Sequence, residues 1–138
     1  MNADGTEQRQ IPGLTGGAPE YLADGRLLFH CGSKPSQICI ANSDGSERLQ
    51  LTDDDSNNYS PKISPDGTQI AYLSNRDGNQ EVYVMSIDGS KQIRLTKNRI
   101  QEWDPMWSAD GKKVFSSSQN VYGFYDIYKH RWHTDRQI

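Results

Sequence analysis

An all-β fold built from three repeated four-stranded sheets is the architecture that the sequence predicts, and three observations carry this prediction. A proline, a short strand-like stretch and an Asp-Gly turn recur together at steps of 42 and 44 residues. Short apolar runs follow each of these motifs at similar distances. The 138 residues include 12 glycines and only 33% hydrophobic residues, which is typical of short strands joined by many turns. A period of about 43 residues with four strands per unit is characteristic of β-propeller blades.

The second unit, residues 60–96, shows the pattern most clearly. Three turns, with the sequences SPDG, RDGN and IDGS, separate four short strands. In such turns Pro presets φ, Asp accepts hydrogen bonds from its own backbone, and Gly adopts a positive φ. The runs at 70–73 and 82–85 are apolar at every position, whereas a strand with one exposed face would alternate. We therefore expect this sheet to pack against a neighbouring sheet on each face.

The other two units repeat these features. The leading prolines are Pro19, Pro61 and Pro105, and the outermost strands end in Leu-Thr at 51–52 and 95–96. The third unit ends without such a strand, while residues 1–15 resemble an outermost strand without its blade. The sequence thus divides into this N-terminal strand and a propeller region of three blades, residues 16–138. The blades span about 16–59, 60–103 and 104–138.

Three blades are too few to close a ring, because propellers have about four to eight blades. Six is the multiple of three in that range. We therefore predict a homodimer that closes as one six-bladed propeller by strand exchange, with residues 1–15 of each chain completing the third blade of the other. This arrangement would cover the apolar sheet faces at both ends of the half-ring. The alternative is that the chain is a piece of a longer propeller.

The composition argues against nucleic acid and membrane as partners, and the first residues bear on the compartment. A net charge of −3 does not favour binding to nucleic acid, and no apolar run approaches the ~18 residues of a membrane span. The first residues do not resemble a secretory signal. We expect a cytoplasmic protein from the sequence as given, and a periplasmic one if the chain is a fragment of an exported propeller.

Cys31 and Cys39 flank a short turn and could pair across it, but free thiols are expected on compartment grounds.

The stretch SPDGTQIAYLSNRDGNQEVYVMSIDGSKQIRLT resembles the TolB-type propeller repeat, a WD-like repeat built around SPDG and a later Asp-Gly. The second unit matches along its whole length, the first has ADG in place of PDG, and the third departs from the pattern after Tyr128. The resemblance implies a six-bladed propeller, which in TolB itself is periplasmic and binds other envelope proteins. It also implies kinship with propellers that stand beside the catalytic domain of prolyl-oligopeptidase-like enzymes, where they gate substrate and carry no catalytic residues.

Candidate binding residues lie in the connections that lead into the innermost strands and in the turns between the second and third strands. Alternating strand direction brings both sets to one end of the blades, and binding residues are commonly found on such loops. The candidates are Asn58, Tyr59, Arg76, Glu102, Trp103, Asp104 and Tyr122. An alternative interpretation of Tyr59 and Trp103 is that they fill space between blades.

We found no pattern typical of a catalytic or metal site, and we predict no cofactor. The three histidines do not converge with other reactive groups, and the run of three aspartates at 53–55 lacks the spacing of a calcium loop. We therefore predict a non-enzymatic scaffold that binds a protein or peptide through its loops and central channel. The alternative is a propeller that binds a small molecule, sugar or metal on the two-fold axis of the dimer. There, paired copies of Glu102, Asp104 and Tyr59 could hold a cation.

Overall fold

The computed structural model describes residues 4–6, 9–119 and 122–131, and it arranges eleven strands in three antiparallel sheets. The first sheet contains β1 (Gly16–Tyr21), β2 (Leu27–Cys31), β3 (Gln37–Ala41) and β4 (Leu49–Gln50). The second contains β5 (Asn58–Ile63), β6 (Gln69–Ser74), β7 (Glu81–Ser86) and β8 (Ile93–Arg94). The third contains β9 (Glu102–Trp107), β10 (Lys113–Gln119) and β11 (Tyr125–Arg131). The third sheet has three strands within the described residues.

The turns have the geometry that their sequences dictate. In the SPDG turn, the amide of Gly67 donates to the carbonyl of Ser64 at 2.9 Å, and Gly67 has a φ of 74°. The Asp66 carboxylate accepts hydrogen bonds from the Ser64 hydroxyl at 2.7 Å and from the Thr68 amide at 3.1 Å. The bond from Ser64 makes the largest contribution to lowering the pKa of Asp66. The amides of Gly25 and Gly111 donate in the same way to the carbonyls of Leu22 and Ser108, and both glycines have a positive φ.

The three sheets stack face to face in chain order. We call the side of a sheet that faces the following sheet in the chain its forward face, and the opposite side its rear face. Leu28, Ile38 and Ile40 on the forward face of the first sheet pack against the rear face of the second. The forward face of the second sheet packs against Val114 on the rear face of the third. The expectation that the second sheet is buried on both faces is confirmed. Rear-face residues of the second sheet are Ile70, Tyr72, Tyr83 and Met85; its forward-face residues are Ala71, Leu73, Val82 and Val84.

Each innermost strand is interrupted at the same place, where the residue before the repeated proline has a positive φ. The φ values are 50° at Ala18, 52° at Ser60 and 49° at Asp104. The pairing register shifts at each of these points, which is the behaviour of a β-bulge. Proline is tolerated in a bulge because it has no amide hydrogen to donate to the ladder. The repeated proline therefore marks a bend in the strand that lines the axis.

The two cysteines form a disulfide, so the expectation of free thiols is wrong. The Cα atoms of Cys31 and Cys39 lie 5.8 Å apart across β2 and β3. Cys31 is paired with Gln37 in the ladder, and Cys39 is two residues further along the same strand. Diagonal neighbours on one face of an antiparallel pair are close enough to touch. The register of the hairpin thus brings the two sulfur atoms together. The sequence alone allowed either a disulfide or two free thiols.

The N-terminal segment lies against the first sheet of its own chain. Ile11 and Leu14 pack on the rear-face cluster that includes Leu27 and Phe29. The described part of residues 1–15 contains no strand, so the predicted strand exchange stays a prediction. Among the residues that the structure describes, no helix is long and apolar enough to cross a membrane.

Candidate functional site

One end of the three sheets, which we call the loop face, carries the connections at 51–57 and 95–101 and the turns at 32–36, 75–80 and 122–124. The repeated Leu-Thr motif anchors these connections. The hydroxyl of Thr52 accepts a hydrogen bond from the amide of Ile38 at 2.9 Å, and Thr96 does the same for Val82. This is the physical role of the threonine that the sequence repeats. The loop face is therefore held by buried polar contacts rather than by the outer strands alone.

A buried amide cluster joins the first and second sheets at the loop face. The side-chain oxygen of Gln37 accepts hydrogen bonds from the Thr52 hydroxyl at 2.6 Å and from the Asn58 amide at 3.0 Å. The Gln37 side-chain nitrogen donates to the carbonyl of Asp54 at 2.7 Å. Asn58 is completely buried. This predicted binding residue therefore lies inside an internal network and offers no surface to a partner.

Arg76 supplies the positive charge of this first cluster. Its Nη2 donates to Asn58 Oδ1 at 3.0 Å, its Nε donates to the Ser74 hydroxyl at 2.9 Å, and Asp54 lies 3.3 Å from Nη2. The guanidinium carbon lies 4.3 Å from the centroid of the Tyr83 ring, a cation–π distance. Arg76, also a predicted binding residue, is thus largely engaged by its own chain.

The aromatic rings beside Arg76 stay neutral. Burial raises the pKa of Tyr72 to about 12, against the opposing effect of Arg76. The pKa of Tyr83 is also raised, first by burial and then by its hydrogen bond to Asp77. Neither hydroxyl therefore acts as a base near neutral pH, and the cluster holds structure rather than reacting.

A second cluster at the interface of the second and third sheets has carboxylates where the first has amides. Glu81 and Glu102 occupy the positions of Gln37 and Asn58, 44 residues later, and both are buried. Glu81 accepts from Arg94 Nη2 at 3.2 Å and from the Thr96 hydroxyl. Its carboxylate therefore has a cationic partner.

Among the described residues, the donors to the Glu102 carboxylate are neutral. Asn98 donates to its Oε1 at 2.7 Å and the Ser116 hydroxyl donates to its Oε2 at 2.6 Å. His130 Nε2 lies 2.9 Å from the same hydroxyl. Burial lowers the pKa of His130, although Glu102 and Glu81 oppose this effect, so the ring is neutral near neutral pH. Glu102 thus points into the interface between sheets.

The three innermost strands line a concave space of about 700 Å³ on the axis side. It is bordered by the bulge residues Ala18, Ser60 and Asp104 and by the charged side chains of Glu20 and Lys62. Asp104 is the predicted site residue that lines this space. A carboxylate and an ammonium group in one channel could bind a polar ligand.

The predicted aromatic residues lie in separate places. Tyr59 is half-buried and borders a concave space of about 650 Å³ that it shares with His30; their rings meet edge to face at 6.4 Å. Burial raises the pKa of Tyr59. Trp103 is 39% exposed and Tyr122 is 83% exposed. The structure therefore places the seven candidates in different environments. Trp103 and Tyr122 are exposed, Tyr59 is half-buried, and Asp104 lines the axial space. The other three, Asn58, Arg76 and Glu102, lie in the two polar clusters between sheets.

Gln37, Glu81, Ser116 and His130 also belong to these clusters, and the sequence motifs do not indicate them. The signal that could have found them is the same 44-residue step, applied to polar positions as well as to turns. Within the described part of the chain, no group of three or more His, Cys, Asp or Glu side chains could hold a metal ion. A cation on a two-fold axis would involve a second copy and stays a prediction.

Comparisons with known proteins agree with the repeat. The family model described as the TolB beta propeller domain matches residues 4–136. A tricorn protease homolog of Streptomyces coelicolor is 37% identical over 106 residues, which cover 73% of this chain and 10% of that protein. An uncharacterized protein of Agrobacterium fabrum is 28% identical over 130 residues, which cover 84% of this chain and 43% of that protein. The chain thus spans less than half the length of either relative.

Among solved structures, TolB from Acinetobacter baumannii superimposes with a TM-score of 0.71 at 24% identity. The match covers 88% of this chain and 31% of that one. At this identity the likeness supports the fold alone. Together with the family model, which matches residues 4–136, it agrees with a fold of stacked antiparallel sheets. The chain belongs to the TolB β-propeller domain family.

Proposed function

We propose that this chain is a non-enzymatic propeller scaffold that binds a protein or peptide partner on its loop face. The observation that carries the proposal is the exposure of three aromatic side chains around the loop-face end of the third sheet. Trp103, Tyr122 and Phe124 are 39%, 83% and 71% exposed. Aromatic residues are enriched in the parts of interfaces that contribute most binding energy. Polar neighbours such as Asp104 could supply the rim of such an interface.

The arrangement of reactive groups supports binding over hydrolysis. Ser116, His130 and Glu102 are in contact, but the serine lies between the other two. A hydrolytic triad instead has the imidazole between nucleophile and carboxylate. The tricorn protease homolog matches this chain over only 10% of its own length. We therefore infer from that relative a shared propeller fold, and we do not infer protease activity for this chain.

We further propose that two copies form the scaffold as one six-bladed ring. The third sheet carries Met106, Phe115 and Ile127 on its forward face, the side that meets a following sheet in the first two units. Met106 is 60% and Ile127 is 80% exposed. The first sheet has Leu27, Phe29 and a disulfide on its rear face. These two faces are of the complementary kinds that already pack together twice within the chain, and Ile11 and Leu14 cover Leu27 and Phe29 on the rear face of the first sheet in the single chain.

The N-terminal segment supports strand exchange. In each Leu-Thr motif the leucine packs on the cluster that forms the rear face of the following sheet: Leu51 with the second sheet and Leu95 with the third. Leu14 makes the same contact with the first sheet. Leu14 is thus positioned like the leucine that ends the outermost strand of a preceding blade. Deleting residues 1–15 should convert the dimer to monomer, and an unchanged dimer would remove the strand-exchange proposal.

Peptide selection on the purified chain tests the binding proposal. We expect selected peptides to bind the native protein and to lose affinity by about tenfold or more with Tyr122→Ala or Phe124→Ala, as for interface anchors. Trp103 is left unchanged, because it shares the ladder row of Ser117 and Ile127 on the forward face of the third sheet. Tyr21→Ala is the matched control, because Tyr21 is 70% exposed at the opposite end of the first sheet. A selection without binders, or binders that tolerate both loop-face variants, would overturn the proposal.

A second candidate is a small-molecule, sugar or metal site on the axis. The charged lining of the space around Asp104, Glu20 and Lys62 favours a polar ligand there. Calorimetric titration with calcium and with simple sugars tests it, and Asp104→Asn should abolish any binding that is seen. Binding that persists in Asp104→Asn would place the ligand elsewhere.

The disulfide bears on the compartment. Such bonds persist mainly in oxidising compartments, so the pairing of Cys31 with Cys39 supports the exported alternative over the cytoplasmic expectation. Labelling of free thiols in protein isolated from its native compartment would test this, and two reactive thiols would contradict it.

A further inference from the structure

We propose that Glu102, Ser118 and Asn98 form an acceptor site for the guanidinium group of an arginine in the bound partner. The inference rests on the proposed function, because it names the chemistry of the partner at the same loop face. It comes from a difference between two equivalent interfaces of the one chain.

The interface between the first and second sheets shows how a guanidinium group binds at such a site. In the second sheet, the Arg76 guanidinium donates to Ser74 on β6 and to Asn58 on β5, and it lies 3.3 Å from the Asp54 carboxylate. Ser74 and Asn58 are direct partners in the ladder. The arginine therefore binds acceptors on two neighbouring strands and on the connection before them.

The second interface repeats the acceptors without the cation. The positions 44 residues later are Ser118 for Ser74, Glu102 for Asn58 and Asn98 for Asp54. Ser118 and Glu102 are again direct ladder partners, on β10 and β9. The counterpart of Arg76 in the sequence is Asn120, which is uncharged and lies outside the described residues. The acceptor set thus keeps one carboxylate, which moves from the connection at Asp54 to the strand at Glu102, while the built-in guanidinium is lost.

Ser118 is the independent sign that this site lacks a ligand. It is 2% exposed, and its hydroxyl has no hydrogen-bond partner within the described part of the chain. Because ladder partners project to the same face of a sheet, this hydroxyl lies on the face that carries the Glu102 carboxylate. A buried hydroxyl without a partner is costly, and a donor from outside would satisfy it.

Within residues 9–119 and 122–131, no cation is paired with Glu102. Arg94 is engaged by Glu81 at 3.2 Å and by Asp77 at 3.6 Å. His130 reaches Glu102 only through Ser116, and burial keeps its ring neutral near neutral pH. Glu102 is only 1% exposed, and a buried carboxylate without a cation is unfavourable. An incoming cation would therefore be bound by charge as well as by hydrogen bonds.

The row of side chains reaches the surface at Asp126. Ser118 pairs with Glu102 on one side and with Asp126 on β11 on the other, and Asp126 is exposed. A side chain could thus enter beside one carboxylate and end beside the other. A planar guanidinium with several fixed donors suits acceptors spread over neighbouring strands better than a compact ion does. The described residues also lack a cluster that could hold a metal.

Titration with N-acetylarginine amide tests the inference, with amide chemical shifts of the 138-residue chain as the readout. We expect saturable shifts around Glu102 and Ser118. N-acetylcitrulline amide, which has the same shape without the charge, should bind at least about tenfold more weakly, as expected for loss of a charge-assisted bidentate contact. Glu102→Gln should reduce arginine binding by a similar factor, and Ser118→Ala by less. Glu47→Gln, at an exposed carboxylate near a turn at the opposite end of the first sheet, should have no effect.

The outcomes separate this inference from the proposed function. Equal binding of the arginine and citrulline probes would overturn the inference, as would arginine binding that survives both Glu102→Gln and Ser118→Ala. Shifts at these residues with calcium chloride alone, and none with arginine, would assign the site to a metal and also overturn it. Peptides that need Tyr122 but show no preference for arginine over citrulline would leave the loop-face proposal standing without this site.

Discussion

Replacing Ile127 with aspartate tests whether the forward face of the third sheet is buried in an assembly. Ile127 is 80% exposed in the single chain, and full burial of such a side chain contributes about 1.5–3 kcal/mol. The exposed share corresponds to about 1.2–2.4 kcal/mol per copy, or about 2.4–4.8 kcal/mol for both copies of a two-fold dimer. At about 1.4 kcal/mol per factor of ten, the dimer should dissociate roughly 50- to 3,000-fold more readily.

Sedimentation velocity across a dilution series measures this change. The matched control is Leu49→Asp, because Leu49 is 54% exposed and lies in β4 on the side of the first sheet that meets the second. The control should leave the dissociation constant unchanged. An Ile127→Asp variant that dimerises as tightly as the native chain would refute the assignment of this face, and equal weakening by both substitutions would show that the effect is not specific to it.

Three further predictions concern stability. Reducing the disulfide, which links residues eight positions apart, should lower the free energy of unfolding by about 2.5 kcal/mol by the loop-entropy relation, and an unchanged denaturation midpoint with a reductant would contradict the pairing. Burial lowers the pKa of His130 below its ordinary value of 6.5, so the unfolded chain takes up protons first, and stability should fall as the pH drops below about 6.5. His130→Gln should make that fall smaller, and an identical pH profile would contradict the assignment. Ala18→Gly should raise the free energy of unfolding by about 0.5 kcal/mol, because the φ of 50° is unfavourable for alanine; a loss above about 1 kcal/mol, the usual cost of glycine in a strand, would argue against the bulge.

The repeat could be predicted because its signals are local. Asp-Gly turns depend on backbone preferences within four residues, so the turns at Gly25, Gly67 and Gly111 follow directly from the sequence. The continuous apolar runs in β6 and β7 likewise predicted a sheet that is covered on both faces, and this prediction is confirmed.

The polar details could not be predicted because they depend on segments that meet only in the fold. Glu102 was expected at a channel mouth, whereas the structure turns its side chain into the interface between sheets. The bulge at Asp104 shifts the register between the two ends of β9, so position along the strand does not give the direction of a side chain. The pairing of Cys31 with Cys39 similarly needed the register of one hairpin.

The most direct test of the half-ring is the mass of the native chain in solution at micromolar concentration, measured by light scattering. One chain has a mass of 15.6 kDa. We expect twice this value, with the dimer lost on deletion of residues 1–15. A single-chain mass with no dye-binding apolar surface would contradict the closed ring of two copies.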